Sequence, residues 1–158
     1  MRVFLFWLCF TIVAIWGQYL LPGTDFLAAG LVVSMQEQDR SRTLWLAVPW
    51  ILLQEGMGNL AFGMMPLLYG SLALAFYFGR WLFEARNILF ICLLGFFSGA
   101  SQAWLALTMA GLQGVAPERG AVLATALLQA LLFPLLWLTA QKMYARFVTR
   151  HAQRVATT

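Results

Sequence analysis

Glu55 is the acidic side chain most open to chemistry, because apolar residues flank it on both sides of Leu52-Leu53-Gln54-Glu55-Gly56-Met57-Gly58-Asn59. A carboxylate placed in hydrocarbon costs about 3 kcal/mol or more, so such groups usually face a bundle interior or a water-filled cavity. There Glu55 offers a contact for a cation, a proton, a small solute or a polar anchor on a partner helix. A chain break at Gly56 to Asn59 leaves backbone groups unpaired, and Gln54 and Asn59 are close enough to satisfy them, which makes a shallow polar pocket near the outer surface. Alternatively the helix simply stops at Gly56, with glycine as its C-terminal stop, and Glu55 marks the interface. Ser98, within Gly95-Phe96-Phe97-Ser98-Gly99, has the look of an intramembrane nucleophile. It would need a base, and the one histidine, His151, lies in the tail, so Ser–His catalysis fails. No zinc set and no histidine haem ligand lies at membrane depth. The sequence therefore implies no catalytic residue, no metal and no cofactor. Cys9 and Cys92 both sit in apolar runs, as small core hydrophobes and not as a disulfide.

The elements that would hold these residues are transmembrane helices. Of 158 residues 62% are hydrophobic and only 10% charged, far from soluble globular usage. Crossing a hydrocarbon core of about 30 Å takes roughly 20 apolar residues. The expected class is an all-α integral membrane protein: a six-helix transmembrane bundle over residues 1–140 and a basic cytoplasmic tail over 141–158. The first helix, Val3 to Leu21, is retained, since no small-x-small cleavage site precedes Gly17-Gln18-Tyr19. It stops at Pro22-Gly23, and Thr24-Asp25 caps a second segment, Phe26 to Met35, short for a full crossing. The third runs from Leu44 through Pro49 to Leu53. The fourth follows Gly63 to Phe78, the fifth is Ile88 to Leu112 and the sixth Ala121 to Ala140.

Charge gives the orientation. With six crossings and the N-terminus inside, Arg2, Arg40, Arg42, Arg80, Arg86, Lys142, Arg146, Arg150 and Arg154 are cytoplasmic, and Arg119 alone is outside. Five crossings with the N-terminus outside would misplace only Arg2 in addition. The net charge of +4 belongs to this topology and calls for no nucleic acid. Lys142, Arg146, Arg150 and Arg154 recur at every fourth position, with Met143, Tyr144, Phe147 and Val148 between them. On a helix this is a basic stripe beside an apolar one, suited to an anionic membrane surface or a cytoplasmic partner, or serving only as a topology anchor.

Gly95 and Gly99, continued by Ala103, form a small-residue stripe where a second helix can approach closely, within this bundle or across a partner interface. Trp45, Trp50, Trp81 and Trp104 suit interfacial or lipid-facing positions. Arg80 and Glu84, four apart, are expected to pair.

Taken in order, these features resemble the rod shape-determining protein MreD family, small six-helix proteins of the bacterial inner membrane. The resemblance rests on the loop Pro22-Gly23-Thr24-Asp25-Phe26-Leu27 and on the end of helix three, Leu52 to Gly63, and covers nearly the whole chain. Asp25 takes the acidic place in the loop. Glu55 stands where the family usually has Asp, eight residues before Gly63. The resemblance implies a non-enzymatic scaffold of the elongation machinery, concerned with cell shape and peptidoglycan synthesis. It also implies MreC-like, MreB-like and peptidoglycan-polymerising partners, beside membrane lipids, and leaves a homo-oligomer open. The family is similar in fold to the substrate-binding S components of ECF vitamin importers. The alternative is therefore a solute-binding subunit with a pocket lined by Gln54, Glu55 and Asn59, with Asp25, Gly58 and Gly63 as further candidates for partner or ligand binding. Proton-linked transport through Glu55 is a third possibility.

Overall fold

The computed structural model describes residues 2–37, 40–57, 63–114, 116 and 118–149. The described residues form six α-helices: α1 (Arg2–Leu20), α2 (Phe26–Glu37), α3 (Arg40–Met57), α4 (Met64–Leu82), α5 (Ile88–Leu112) and α6 (Arg119–Tyr144), with a π-helical turn, Ala145–Thr149, extending α6. Three helical stretches, Arg2–Leu20, Ile88–Leu112 and Arg119–Val148, are long and apolar enough to cross a membrane.

α2 is the hub of the bundle. Its residues Leu27 to Met35 are all buried, so it is apolar on every side and enclosed by other helices. Small residues make this possible. Gly30 lies under the ring of Phe10, where a methyl group would collide, and Gly17 lies likewise under Phe26. α5 and α6 pack most intimately, and α2 rests on α6, α1 and α3. The outer surface is apolar in its turn: Phe4, Trp16, Trp45, Phe78, Trp81 and Trp104 all point away from the core. An apolar exterior of this kind is compatible with a surrounding of lipid.

The polar ends of α2, α3, α4 and α6 meet at one end of the molecule. Gln36 donates to the Ala85 carbonyl and accepts from the Trp137 indole at 2.9 Å, and Glu37 pairs with Arg86. Arg40 stacks over Tyr77, and Tyr144 packs edge-on against Phe6 with ring centroids 5.2 Å apart. Arg2, Arg40, Arg80, Arg86 and Lys142 are therefore gathered at a single basic end, while Arg119 opens α6 at the other.

Several boundaries differ from the sequence expectation. α3 begins at Arg40, not Leu44, and continues through Gly56 to Met57, because Gln54 and Glu55 each find a tertiary partner that holds the last turn. Pro49 lies inside α3 and Pro134 inside α6 without ending either helix. α6 passes the expected 140/141 boundary, since Ala140 and Tyr144 are both core residues. Trp50 is no interfacial tryptophan. It is 2% exposed, packs against Trp7 and Phe10, and donates its indole N–H to Thr11 Oγ1 at 2.8 Å. Trp45, Trp81 and Trp104 do face outward. Arg80 lies over the Phe76 ring and does not pair with Glu84; the ion pair at this end joins Arg86 to Glu37.

Candidate functional site

The loop between α1 and α2 collects polar groups from the surrounding helices. Pro22-Gly23 turns the chain with Gly23 at φ 87, a left-handed conformation that glycine adopts without steric cost. Thr24 then closes on Leu21, its N–H and Oγ1 both donating to the Leu21 carbonyl. Asp25 follows as the N-cap of α2. Its Oδ1 accepts the backbone N–H groups of Leu27 at 3.0 Å and Ala28 at 3.1 Å, which would otherwise have no partner inside the helix.

The same oxygen accepts from Gln54 Nε2 on α3 at 2.9 Å, the Tyr69 hydroxyl on α4 at 3.2 Å and Gln18 Nε2 on α1 at 3.2 Å. α6 holds the backbone of this residue. The Asp25 N–H donates to Gln129 Oε1 at 2.8 Å, and Gln129 Nε2 donates to the Asp25 carbonyl at 3.0 Å. α5 completes the set, with Gln102 Nε2 donating to the Gly23 carbonyl. One loop thereby engages α1, α3, α4, α5 and α6.

Asp25 is 3% exposed and Gln129 fully buried, so the centre of the hub is enclosed, with Gln18, Gln54 and Gln102 half-buried around it. Gln129 lies ten residues into α6 and fifteen before its end, about 15 Å and 22 Å from its termini at 1.5 Å per residue. The loop therefore sits well inside the bundle, and α2 spans only about 18 Å. A buried carboxylate survives this setting because donors surround it. Asp25 Oδ2 and Gln102 Oε1 are the two atoms of this site that are buried with no hydrogen-bond partner among the described residues.

Glu55 does not share a pocket with Gln54. Its Oε1 accepts the backbone N–H of Gly63 at 2.7 Å, tying the end of α3 to the start of α4. Gly63 is the N-cap of α4 at φ 93 and has no side-chain cap, while Glu55 holds its backbone N–H. Gln54 turns instead to Asp25 and to the Tyr69 hydroxyl, 3.3 Å away. The eight-residue spacing from Glu55 to Gly63 is thus a helix-to-helix clasp. Gly58 and Asn59, expected in the same pocket, lie outside the described residues.

Gly95 and Gly99 are buried on the α5 face that meets α6. A Cβ on Gly95 would come within 3.0 Å of the Ala130 carbonyl oxygen, and one on Gly99 would run into that of Ala126. Their stripe is used inside the bundle, and Ala103 continues it half-buried. Ser98 is buried beside them, its hydroxyl unpartnered. Lys142 and Arg146 are exposed at the basic end, whereas Arg150 and Arg154 lie outside the described residues. Among the described residues no three His, Cys, Asp or Glu side chains gather as metal ligands.

Sequence reasoning missed Gln18, Tyr69, Gln102 and Gln129. Their signal was a bulky hydrogen-bonding group within an apolar run, most plainly Gln129 between Ala121 and Ala140.

What fold and site together define, among the described residues, is an all-helical bundle with an apolar exterior, three membrane-length helical stretches and a polar hub centred on the buried Asp25. Set against protein-family models, curated proteins and solved structures, the chain matches none.

Proposed function

We propose that this chain is a non-enzymatic scaffold of the bacterial inner membrane, working in the rod-shape elongation complex. All six helices belong to the membrane bundle, and both termini lie in the cytoplasm, as the basic end of the molecule favours. A bitopic MreC-like protein and the peptidoglycan polymerising enzymes dock on the apolar exterior, and the MreB-like cytoskeleton approaches the basic end.

The observation that carries this role is what becomes of the residues behind the resemblance. Asp25, 3% exposed, and the Glu55–Gly63 pair are engaged in joining helices to one another. Such a chain invests its polar groups in a fixed shape, and a fixed apolar shape is what a partner helix can recognise. Depleting the protein in a rod-shaped host should round or swell the cells, and affinity capture in mild detergent should recover a bitopic periplasmic protein. Rods of normal width and growth after depletion refute the role.

A second function, the solute-binding subunit of an ATPase-coupled importer, is favoured by one feature alone. Asp25 Oδ2 is a buried acceptor without a donor, which a ligand amine or hydroxyl could fill. It predicts a small molecule retained after gentle purification and an ATPase pair among the captured proteins.

A further inference from the structure

α1 and the end of α6 do not close on each other along their whole length. Between them runs an apolar groove of about 430 Å³, walled by Arg2, Cys9, Val13, Phe26, Met143 and Phe147 among others. Three of its properties bear on what fills it. The first is length. From Arg2 to Ala14 the groove follows α1 for twelve residues, about 18 Å. That is close to one leaflet, half of a hydrocarbon core about 30 Å thick. A partner helix crosses both leaflets and would need a groove about twice as long. The second is volume, which falls within the range of about 300–1,000 Å³ usual for small-molecule sites.

The third property is charge. Arg2 stands on the first turn of α1, at the mouth of the groove, and is its one charged wall residue among those described. Lys142 and Arg146 are exposed on the adjoining turns at the same end. Thr139 is the polar residue on the α6 wall, and the remainder is apolar.

The geometry points to a site for one anionic phospholipid of the leaflet at the basic end, its acyl chain lying in the α1–α6 groove and its phosphate on Arg2. The tail gains little by leaving the bilayer, since lipid is as apolar as the groove wall. Selection therefore comes from the headgroup, and one basic residue near the surface favours anionic over zwitterionic lipid by about fivefold. The site requires only that the bundle be embedded in lipid and is independent of any role in the cell envelope.

The test is native mass spectrometry of the full chain released from nanodiscs holding equal amounts of phosphatidylglycerol and phosphatidylcholine with identical acyl chains. The wild type should retain one phosphatidylglycerol about five times as often as phosphatidylcholine. Arg2→Gln, at an exposed side chain, should bring that ratio close to one. Cys9→Trp places bulk in the groove from an exposed wall position and should remove both adducts while thermal unfolding stays near wild type. Equal retention of the two lipids by the wild type overturns the site, as does a preference that survives Arg2→Gln. Cross-linking of Cys9 in native membranes to a polypeptide in place of lipid also overturns it.

Discussion

Asp25→Ala removes the acceptor on which the α1–α2 loop converges, and the structure allows its cost to be worked out. Five donors point at Oδ1, which has two lone pairs, so they cannot count as five full bonds. Loss of the cap leaves the Leu27 and Ala28 N–H groups without their acceptor, which typically costs about 1 kcal/mol and at most about 2. Tyr69 and Gln54 keep each other at 3.3 Å, but one buried donor between them is left unsatisfied, a further cost of about 1–3 kcal/mol. Gln18 is half-buried and can rehydrate. Relief of a buried carboxylate with one unpartnered oxygen offsets part of this, so the net loss is about 3 kcal/mol, at the lower edge of what breaking a buried charged network costs. For a chain of this size that lowers Tm by about 6–12 °C. Asp25→Asn keeps one acceptor for the two N–H groups and places an amide where Oδ2 was, so its loss is smaller, about 1–2 kcal/mol. The assay is thermal unfolding of the purified variants in mild detergent. A Tm for Asp25→Ala within 2 °C of wild type, or a larger drop for Asn than for Ala, would refute the hub.

Gly99→Ala should destabilise by about 1–3 kcal/mol, because the new methyl meets the Ala126 carbonyl on the facing helix. Gly70→Ala in α4, where a Cβ has open space, should stabilise by up to about 1 kcal/mol in the same unfolding assay. Glu55→Gln keeps an acceptor for the Gly63 N–H and should change stability by less than about 1 kcal/mol, with Glu55→Ala the more costly of the two. Activity lost in the Gln variant with assembly intact would instead favour proton-linked transport. Gly63→Val forces a β-branched residue to φ 93 and should lower Tm by more than Glu55→Ala does. Glu37→Gln breaks an ion pair whose arginine is 61% exposed and should cost no more than about 1 kcal/mol, falling further with added salt.

The helices were legible because apolar length and Gly or Pro punctuation act locally. Ile88 to Leu112 is read from the sequence with the ends it has in the structure, and Pro22-Gly23 stops α1 where expected. The ends of α3 were not legible. Gln54 and Glu55 look like helix-terminating polar residues until their partners Asp25 and Gly63 are known, and those lie 29 and 8 residues away. Asp25 was singled out by its loop, but its contact with Gln129 spans 104 residues, and no local pattern encodes that. Trp50 was misplaced for a similar reason. A tryptophan near a helix end suits the membrane interface equally well, and its partners across the bundle, Thr11, Trp7 and Phe10, draw it inward. The small-residue stripe at Gly95 and Gly99 announced close helix contact without naming α6 as the neighbour.

The most direct measurement is the sidedness of the two ends of the bundle, read with paired alkaline phosphatase and green fluorescent protein fusions after Thr158 and at Gly114. Fluorescence without phosphatase activity at Thr158, and the reverse at Gly114, are the predicted results. Phosphatase activity at Thr158 would put the basic end of the molecule outside the cell and contradict the proposed membrane topology.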